Sequence, residues 1–202
     1  MACIKEISKR IPIITTGYAY CNNSFSVTTD EAKAMRILLE YLINLGHVEI
    51  AFIAGNSNGK SEIEKRNEYK KILKRRSIPY KSIYVIESDY EKESGYKSMK
   101  KLLSYKELPT AVIVINEMTA IGAIKAIKER GLRIPDDISL ACFDNTYISE
   151  SVKPAMTSVG CNYVKFAEKL IYLTLDAINY GITDINNYVE SVFVVRDSVA
   201  ER

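Results

Sequence analysis

Tryptophan is absent, histidine occurs once, and only four cysteines and nine glycines are spread over 202 residues. The cysteines, Cys3, Cys21, Cys142 and Cys161, form no C-x-x-C pair, which argues against a zinc ribbon or a thioredoxin-like redox site. Cys142 lies inside an apolar run, where a thiol behaves as a small buried hydrophobe, and a reduced, cytoplasmic setting is the economical reading. Neither sign of charge dominates: 28 basic residues face 25 acidic ones, for a net charge of +3. A bare DNA-binding module carries a stronger and more clustered basic excess. Long hydrophobic runs are missing too. The longest clean one, Ala111–Ile115, is far too short to span a bilayer, and the opening MACIKEISKR holds no apolar stretch of the length a secretory signal needs. The expectation is a soluble protein, or a piece of one, without membrane association.

Enzyme signatures are equally scarce. There is no G-x-S-x-G elbow and no P-loop, and Gly55-Asn-Ser-Asn-Gly59 does not match the G-x-G-x-x-G of dinucleotide sites. The single histidine, His47, directly follows Gly46 at the end of a helical pattern, a position that suits a bond to a local backbone group better than proton transfer. No catalytic residue, metal site or cofactor is expected.

What the chain does contain is a regular alternation. Short runs rich in isoleucine and valine, at Ile11–Thr15, Ile50–Ala54, Ile83–Ile86, Ala111–Ile115, Ile138–Phe143 and Val189–Val195, are mostly apolar on consecutive positions. Strands covered on both faces read this way, as in a parallel sheet. Between them lie helical stripes: Met35, Leu38, Leu39 and Leu42; Tyr96, Met99, Leu102 and Leu103; Ile121, Ile124 and Ile127. Gly46 and Gly131 stand where left-handed helix caps are wanted. Strand–helix alternation with short connections predicts an α/β fold with a doubly wound parallel sheet.

Two segments need separate readings. From Tyr163 to Tyr180, apolar residues occupy one face with Val164, Ala167, Ile171, Leu175 and Ile178, and another with Phe166, Leu170, Leu173 and Ala177. A helix apolar on two sides calls for burial on both and predicts a second lobe. The basic run Lys65, Arg66, Lys70, Lys71, Lys74, Arg75 and Arg76 is interleaved with Glu62, Glu64 and Glu68, over an inner face of Ile63, Tyr69, Ile72 and Leu73. It reads as a solvated helix face rather than a nucleic-acid patch.

In an open parallel sheet, ligands bind beyond the carboxyl ends of the strands. Those ends carry Gly17 and Tyr18; Gly55, Asn56 and Ser57; Asp89 and Tyr90; Asn116 and Glu117; Asp144 and Asn145. Carboxylates and amides that exchange hydrogen bonds with hydroxyls, beside an aromatic face, suit a polyhydroxylated ligand. Each of these residue types also caps helices and forms turns.

The segments Ile11-Pro-Ile13, Val27–Asp30, Leu45-Gly-His-Val-Glu-Ile-Ala-Phe-Ile-Ala-Gly55, Ser94-Gly-Tyr96, Leu108-Pro-Thr-Ala-Val112, Asn116-Glu-Met-Thr-Ala-Ile-Gly122, Gly131-Leu-Arg-Ile-Pro-Asp-Asp-Ile-Ser139, Phe143-Asp-Asn145, Thr157-Ser-Val159 and Val195-Arg-Asp-Ser198 follow one another in an order and spacing that resembles the LacI/GalR family of transcription regulators. The resemblance implies a periplasmic-binding-protein-like core of type I with two lobes, an effector held between them, homodimerisation, and operator DNA bound through an N-terminal helix-turn-helix headpiece. That headpiece and the opening part of the N-terminal lobe have no counterpart in the sequence at hand. The implied division assigns 1–29 and 161–187 to an incomplete N-terminal lobe, and 30–160 and 188–202 to the C-terminal effector-binding lobe.

Carried over position by position, the resemblance makes Tyr90 the aromatic residue stacked on the effector and Asp144 its carboxylate. Asn116 matches the asparagine of an N-D pair whose second member is Glu117 here. Lys65 stands for the arginine of an R-x-x-G-Y motif ending at Tyr69, with Ser61 on the same helix. Gly17 replaces an aspartate of many sugar-sensing members, and Cys161 a glutamine of some. A lysine lacks the bidentate fork of an arginine, so a departure from lactose-like or purine-like effectors is expected; the effector class is a sugar or related small molecule. The alternatives are a periplasmic-type sugar-binding protein, disfavoured by the missing signal and the absence of tryptophan, and a doubly wound sugar-modifying enzyme, disfavoured by the lack of a catalytic constellation.

Overall fold

The structure, a computed structural model, describes residues 2–18, 24–56, 58–180 and 186–202. Cys21 and Ser57 lie outside the described residues. The chain divides into two compact units, Met1–Asp30 with Cys161–Ser191, and Glu31–Gly160 with Val192–Arg202.

The larger unit is built on a six-stranded sheet. Its strands are β3 (Ile50–Ala54), β4 (Val85–Glu87), β5 (Ala111–Val114), β6 (Ser139–Phe143), β7 (Thr157–Cys161) and β9 (Ser191–Val194), in the order β4-β3-β5-β6-β7-β9. The pairings from β4 through β7 are all parallel. Consecutive apolar residues in β3 have a simple cause. Ile50, Phe52 and Ala54 join one core with Met35, Leu38, Leu39 and Leu42 of helix α2 (Glu31–Asn44) and Tyr69, Ile72 and Leu73 of α3 (Lys60–Arg75). Ala51 and Ile53 join a second core with Met99 and Leu102 of α4 (Lys92–Leu102) and Ala123 and Ile127 of α5 (Glu117–Glu129). Side chains of a strand alternate between faces, so a sheet covered on both sides leaves no polar positions. Each fully buried leucine or isoleucine contributes roughly 1.5–3 kcal/mol. On the second face, α4 and α5 touch backbone to backbone: a Cβ on Gly122 would lie 1.9 Å from the carbonyl oxygen of Lys92.

His47 is buried where the carboxyl-terminal segment crosses this unit. Its Nδ1 lies 2.9 Å from the Thr110 hydroxyl and its Nε2 3.0 Å from the carbonyl of Ala200, so the backbone partner is a distant one rather than the local group expected. The Arg-Asp-Ser segment that follows β9 fastens the sheet as well. Ser198 Oγ accepts from Thr157 N at 2.8 Å and donates to Leu140 O at 2.5 Å, while Arg196 donates to Met156 O, Ser158 Oγ and Asn145 Oδ1.

The smaller unit holds a parallel three-stranded sheet, β1 (Ile13–Thr16), β2 (Ser24–Thr29) and β8 (Asn186–Val189), in the order β1-β2-β8. Helix α1 (Ala2–Ser8) precedes it, and α7 (Tyr163–Asn179) packs Leu173, Phe166 and Leu170 against Val27, Val189 and Ile14. Asn162 caps α7 by accepting from Lys165 N at 3.1 Å.

Some sequence expectations require correction. The two-faced helix buries one face only: Val164, Ile171, Leu175 and Ile178 are at least half exposed within this unit. The expected last strand, Val189–Val195, is divided at Glu190 into the end of β8 and β9, which belong to different sheets. Residues Ser82–Tyr84 turn as a short 3-10 helix before β4 begins. Strands β2 and β7 lay outside the apolar runs because their sequences, SFSVTT and TSVGC, are built on hydroxyl residues. Ser26, Thr28, Thr157 and Ser158 are nevertheless buried, so β-forming small side chains replace large apolar ones there.

Candidate functional site

The carboxyl ends of β3, β4, β5 and β6 bring six of the eight candidate residues, Ser61, Lys65, Tyr90, Asn116, Glu117 and Asp144, into the larger unit. Gly17 and Cys161 belong to the smaller one. Gly17 has φ +106°, a conformation that favours glycine over any side chain. Cys161 is partly buried against Val27, Leu173 and Val189.

Tyr90 follows β4 with φ +71°, and Asp144 follows β6 with φ +70°. A bulky tyrosine in the left-handed region is an outlier, sustained only where surrounding contacts impose it. Here the Asn116 amide donates to the Tyr90 carbonyl at 3.0 Å, and the ring lies across Gly55, where a Cβ would come within 2.3 Å of the Tyr90 hydroxyl oxygen. The residue still keeps 39% of its surface exposed.

Asp144 is largely buried. Burial pushes its carboxyl up to about 6, the charges of Glu117 and Glu31 add to the effect, and Lys65 and a bond from the Glu117 backbone oppose it. Near neutral pH it is an ionised acceptor held at some cost, as functional carboxylates often are.

The remaining carried-over residues are engaged with the protein itself. Glu117 accepts from Thr146 N at 2.9 Å and from Ser149 N at 3.1 Å, and also from both their hydroxyls. Its carboxylate thereby fastens the start of α6 (Tyr147–Ser151). Asn116 caps α5 by accepting from Thr119 N at 2.8 Å while its amide holds Tyr90. Lys65 donates to Ser61 Oγ and to Glu31 at 2.7 Å each, meets Glu62 at 3.4 Å, and sits 5.0 Å above the Phe143 ring. Arg66 donates to Gly55 O at 2.9 Å and meets Glu87 at 3.2 Å, and its Nε is buried without a partner.

Two residues escaped the sequence reading. Glu62 is 2% exposed and accepts from Gly55 N at 2.8 Å, which anchors the loop beneath Tyr90. Glu31, in the first turn of α2, pairs with Lys65. The solvated-face reading of α3 holds for Lys70, Lys71, Lys74, Arg75 and Arg76, which are exposed, and fails for Glu62, Lys65 and Glu68, which are buried. Ile63, assigned to the inner face, is 47% exposed. The spacing of 62, 65, 69 and 72 places those four side chains on one helix stripe, a signal that charge identity masked.

Among the described residues no group of three or more His, Cys, Asp or Glu side chains is placed to hold a metal ion. No described helix is long and apolar enough to cross a membrane.

Residues 39–199 match the family model of the periplasmic binding protein-like domain. The chain is 32% identical over 193 residues to a probable HTH-type transcriptional repressor, ExuR, of Bacillus subtilis, covering 95% of this chain and 58% of that protein. It is 34% identical over 159 residues to catabolite control protein A of Priestia megaterium, covering 77% and 48%. The chain thus spans about half the length of these curated relatives. A sugar-binding transcriptional regulator of the LacI family from Escherichia coli, solved with phosphate, superposes with a TM-score of 0.86 at 26% identity, over 100% of this chain and 72% of that one.

Proposed function

This chain belongs to the periplasmic binding protein-like domain family, on its LacI/GalR side, and from that premise we propose that it is the ligand-sensing and dimerisation domain of a bacterial transcription regulator. A sugar or related small molecule is the effector, bound without catalysis or cofactor. The assembled regulator works in the cytoplasm and reaches operator DNA through a helix-turn-helix headpiece.

The observation that carries this reading is the backbone at Tyr90 and Asp144. Among the described residues three non-glycine positions have positive φ, Ser77, Tyr90 and Asp144. Ser77 follows the end of α3, an ordinary place for a left-handed residue. The other two close β4 and β6, at the sheet edge where ligands of open α/β sheets bind. They are also the two positions to which the family resemblance assigns the main effector contacts. Tyr90 is a partly exposed aromatic residue and Asp144 offers an acceptor for adjacent hydroxyls. Asn116, which holds Tyr90, and Glu117, Ser61 and Lys65 are the further candidate contacts from the larger unit, and Gly17 and Cys161 those from the smaller.

The test is effector response in the full gene product. Tyr90→Ala and Asp144→Asn each remove a contact of about 1.5–3 kcal/mol, so affinity for a responding sugar should fall roughly tenfold to hundredfold. Unchanged response together with a lowered melting temperature would make both residues structural.

Homodimerisation is supported by the outer face of α7, where Val164, Ile171, Leu175 and Ile178 form an apolar stripe exposed within its own unit. Sedimentation across the micromolar range should give a dimer. A clean monomer would exclude it.

A further inference from the structure

We propose that the effector is an uncharged polyhydroxylated molecule, and that acidic sugars such as uronates and sugar phosphates are rejected. This rests on the sensor reading above and deepens it. An ammonium group has three N–H bonds, and Lys65 has three partners: Ser61 Oγ at 2.7 Å, Glu31 at 2.7 Å and Glu62 at 3.4 Å. With its side chain 6% exposed, this cation has neither a free donor nor an open approach for an acidic ligand. Arg66, its neighbour, is turned through one terminal nitrogen onto the Gly55 carbonyl and matched by Glu87, and its unpartnered Nε is buried, out of reach of a ligand. Arg196 is taken up by Asn145, Ser158, Met156 O and Glu150.

The charge balance points the same way. One lysine lies among Glu31, Glu62, Glu117 and Asp144, and the hydrogen bonds that satisfy Glu117 come from neutral donors. The carboxyl of Asp144 reports the resulting field. Glu117 and Glu31 raise its pKa and Lys65 lowers it. Like charges a few ångströms apart repel, and more strongly at the lower effective dielectric near a protein surface than in water. Hydroxyl groups meet no such penalty, since they donate to carboxylates.

Calorimetric titration of the full gene product decides the matter with matched pairs: glucose against glucuronate and glucose 6-phosphate, galactose against galacturonate, ribose against ribose 5-phosphate. The expected result is that a neutral member binds at least tenfold more tightly than its acidic counterparts. Glu31→Gln and Glu62→Gln should each narrow that gap, because each removes a negative charge beside Lys65 and leaves its cation less fully neutralised. A uronate or sugar phosphate that binds as well as its neutral parent would overturn the charge selectivity and leave the sensor reading standing. Failure of every sugar, neutral and acidic, to bind would overturn both.

Discussion

Replacing Asp144 with asparagine separates what this carboxylate does for a ligand from what it costs the fold. Burial and the nearby carboxylates raise its pKa from 3.8 to about 6. Each unit corresponds to 1.36 kcal/mol, so at pH 7.5 the ionised side chain destabilises the native state by about 2–3 kcal/mol. Asparagine removes the charge, keeps an acceptor for the Glu117 backbone, and tolerates the φ of +70° at this position. Between pH 3.8 and 6 the native wild-type chain binds more protons than the unfolded one, so its stability falls as pH rises through that window. The variant lacks that slope. Its advantage should therefore be absent at pH 4, grow through pH 5, and level off above about 6. For a chain of this size it corresponds to a rise in Tm of roughly 5–10 °C at pH 7.5. Urea denaturation and thermal scans at several pH values measure it, with effector affinity followed in the same preparations. The reasoning fails if Asp144→Asn is less stable than wild type at pH 7.5, or if its gain is as large at pH 4 as at pH 7.5.

Gly55→Ala puts a methyl group where the Tyr90 hydroxyl lies, at 2.3 Å. The ring end can swing away, so stability should fall by only about 1–2 kcal/mol while sugar affinity drops as it does in Tyr90→Ala. Titration alongside a melting curve checks both. Gly122→Ala is the opposite case, since its methyl group meets the Lys92 carbonyl at 1.9 Å and backbone must move. It should cost at least about 3 kcal/mol, read as a lower urea midpoint. His47 has its pKa lowered, first by burial and then by the charge of Arg202, against the bond to Ala200. The unfolded state takes up that proton near pH 6.5, before the native state does, so His47 makes stability fall as pH drops below that value. His47→Gln should flatten this part of the profile, and an unchanged slope would count against a buried neutral histidine.

Much of the larger unit was legible because its signals are local. Consecutive apolar residues in IAFIA and AVIV marked doubly covered strands, and the stripes of α2 and α4 followed from helical period, while in α5 Ile124 and Ile127 are buried with Ala120, Ala123 and Ala126 and the expected Ile121 is not. The rim of polar residues followed from strand ends alone. Strands SFSVTT and TSVGC were hidden because serine and threonine carry no hydrophobic period, and only neighbours on both sides make them core. The break at Glu190 was hidden too, since β8 and β9 continue as one extended run and differ in which sheet pairs with them.

At the candidate site, sequence by itself determined which residues stand at the sheet edge: Tyr90 after β4, Asn116 and Glu117 after β5, Asp144 after β6. Only tertiary structure decided what each of them does there. Glu117 grips Thr146, 29 positions away, Lys65 is taken up by Glu31 from another helix, and Tyr90 and Asp144 are left as a partly exposed aromatic residue and a burdened carboxylate. The physical reason is that a carboxylate or an ammonium forms the same kinds of bond with protein and with ligand. Its residue type therefore fixes the chemistry, while partners brought from distant parts of the chain fix whether any of that chemistry is left over for a ligand.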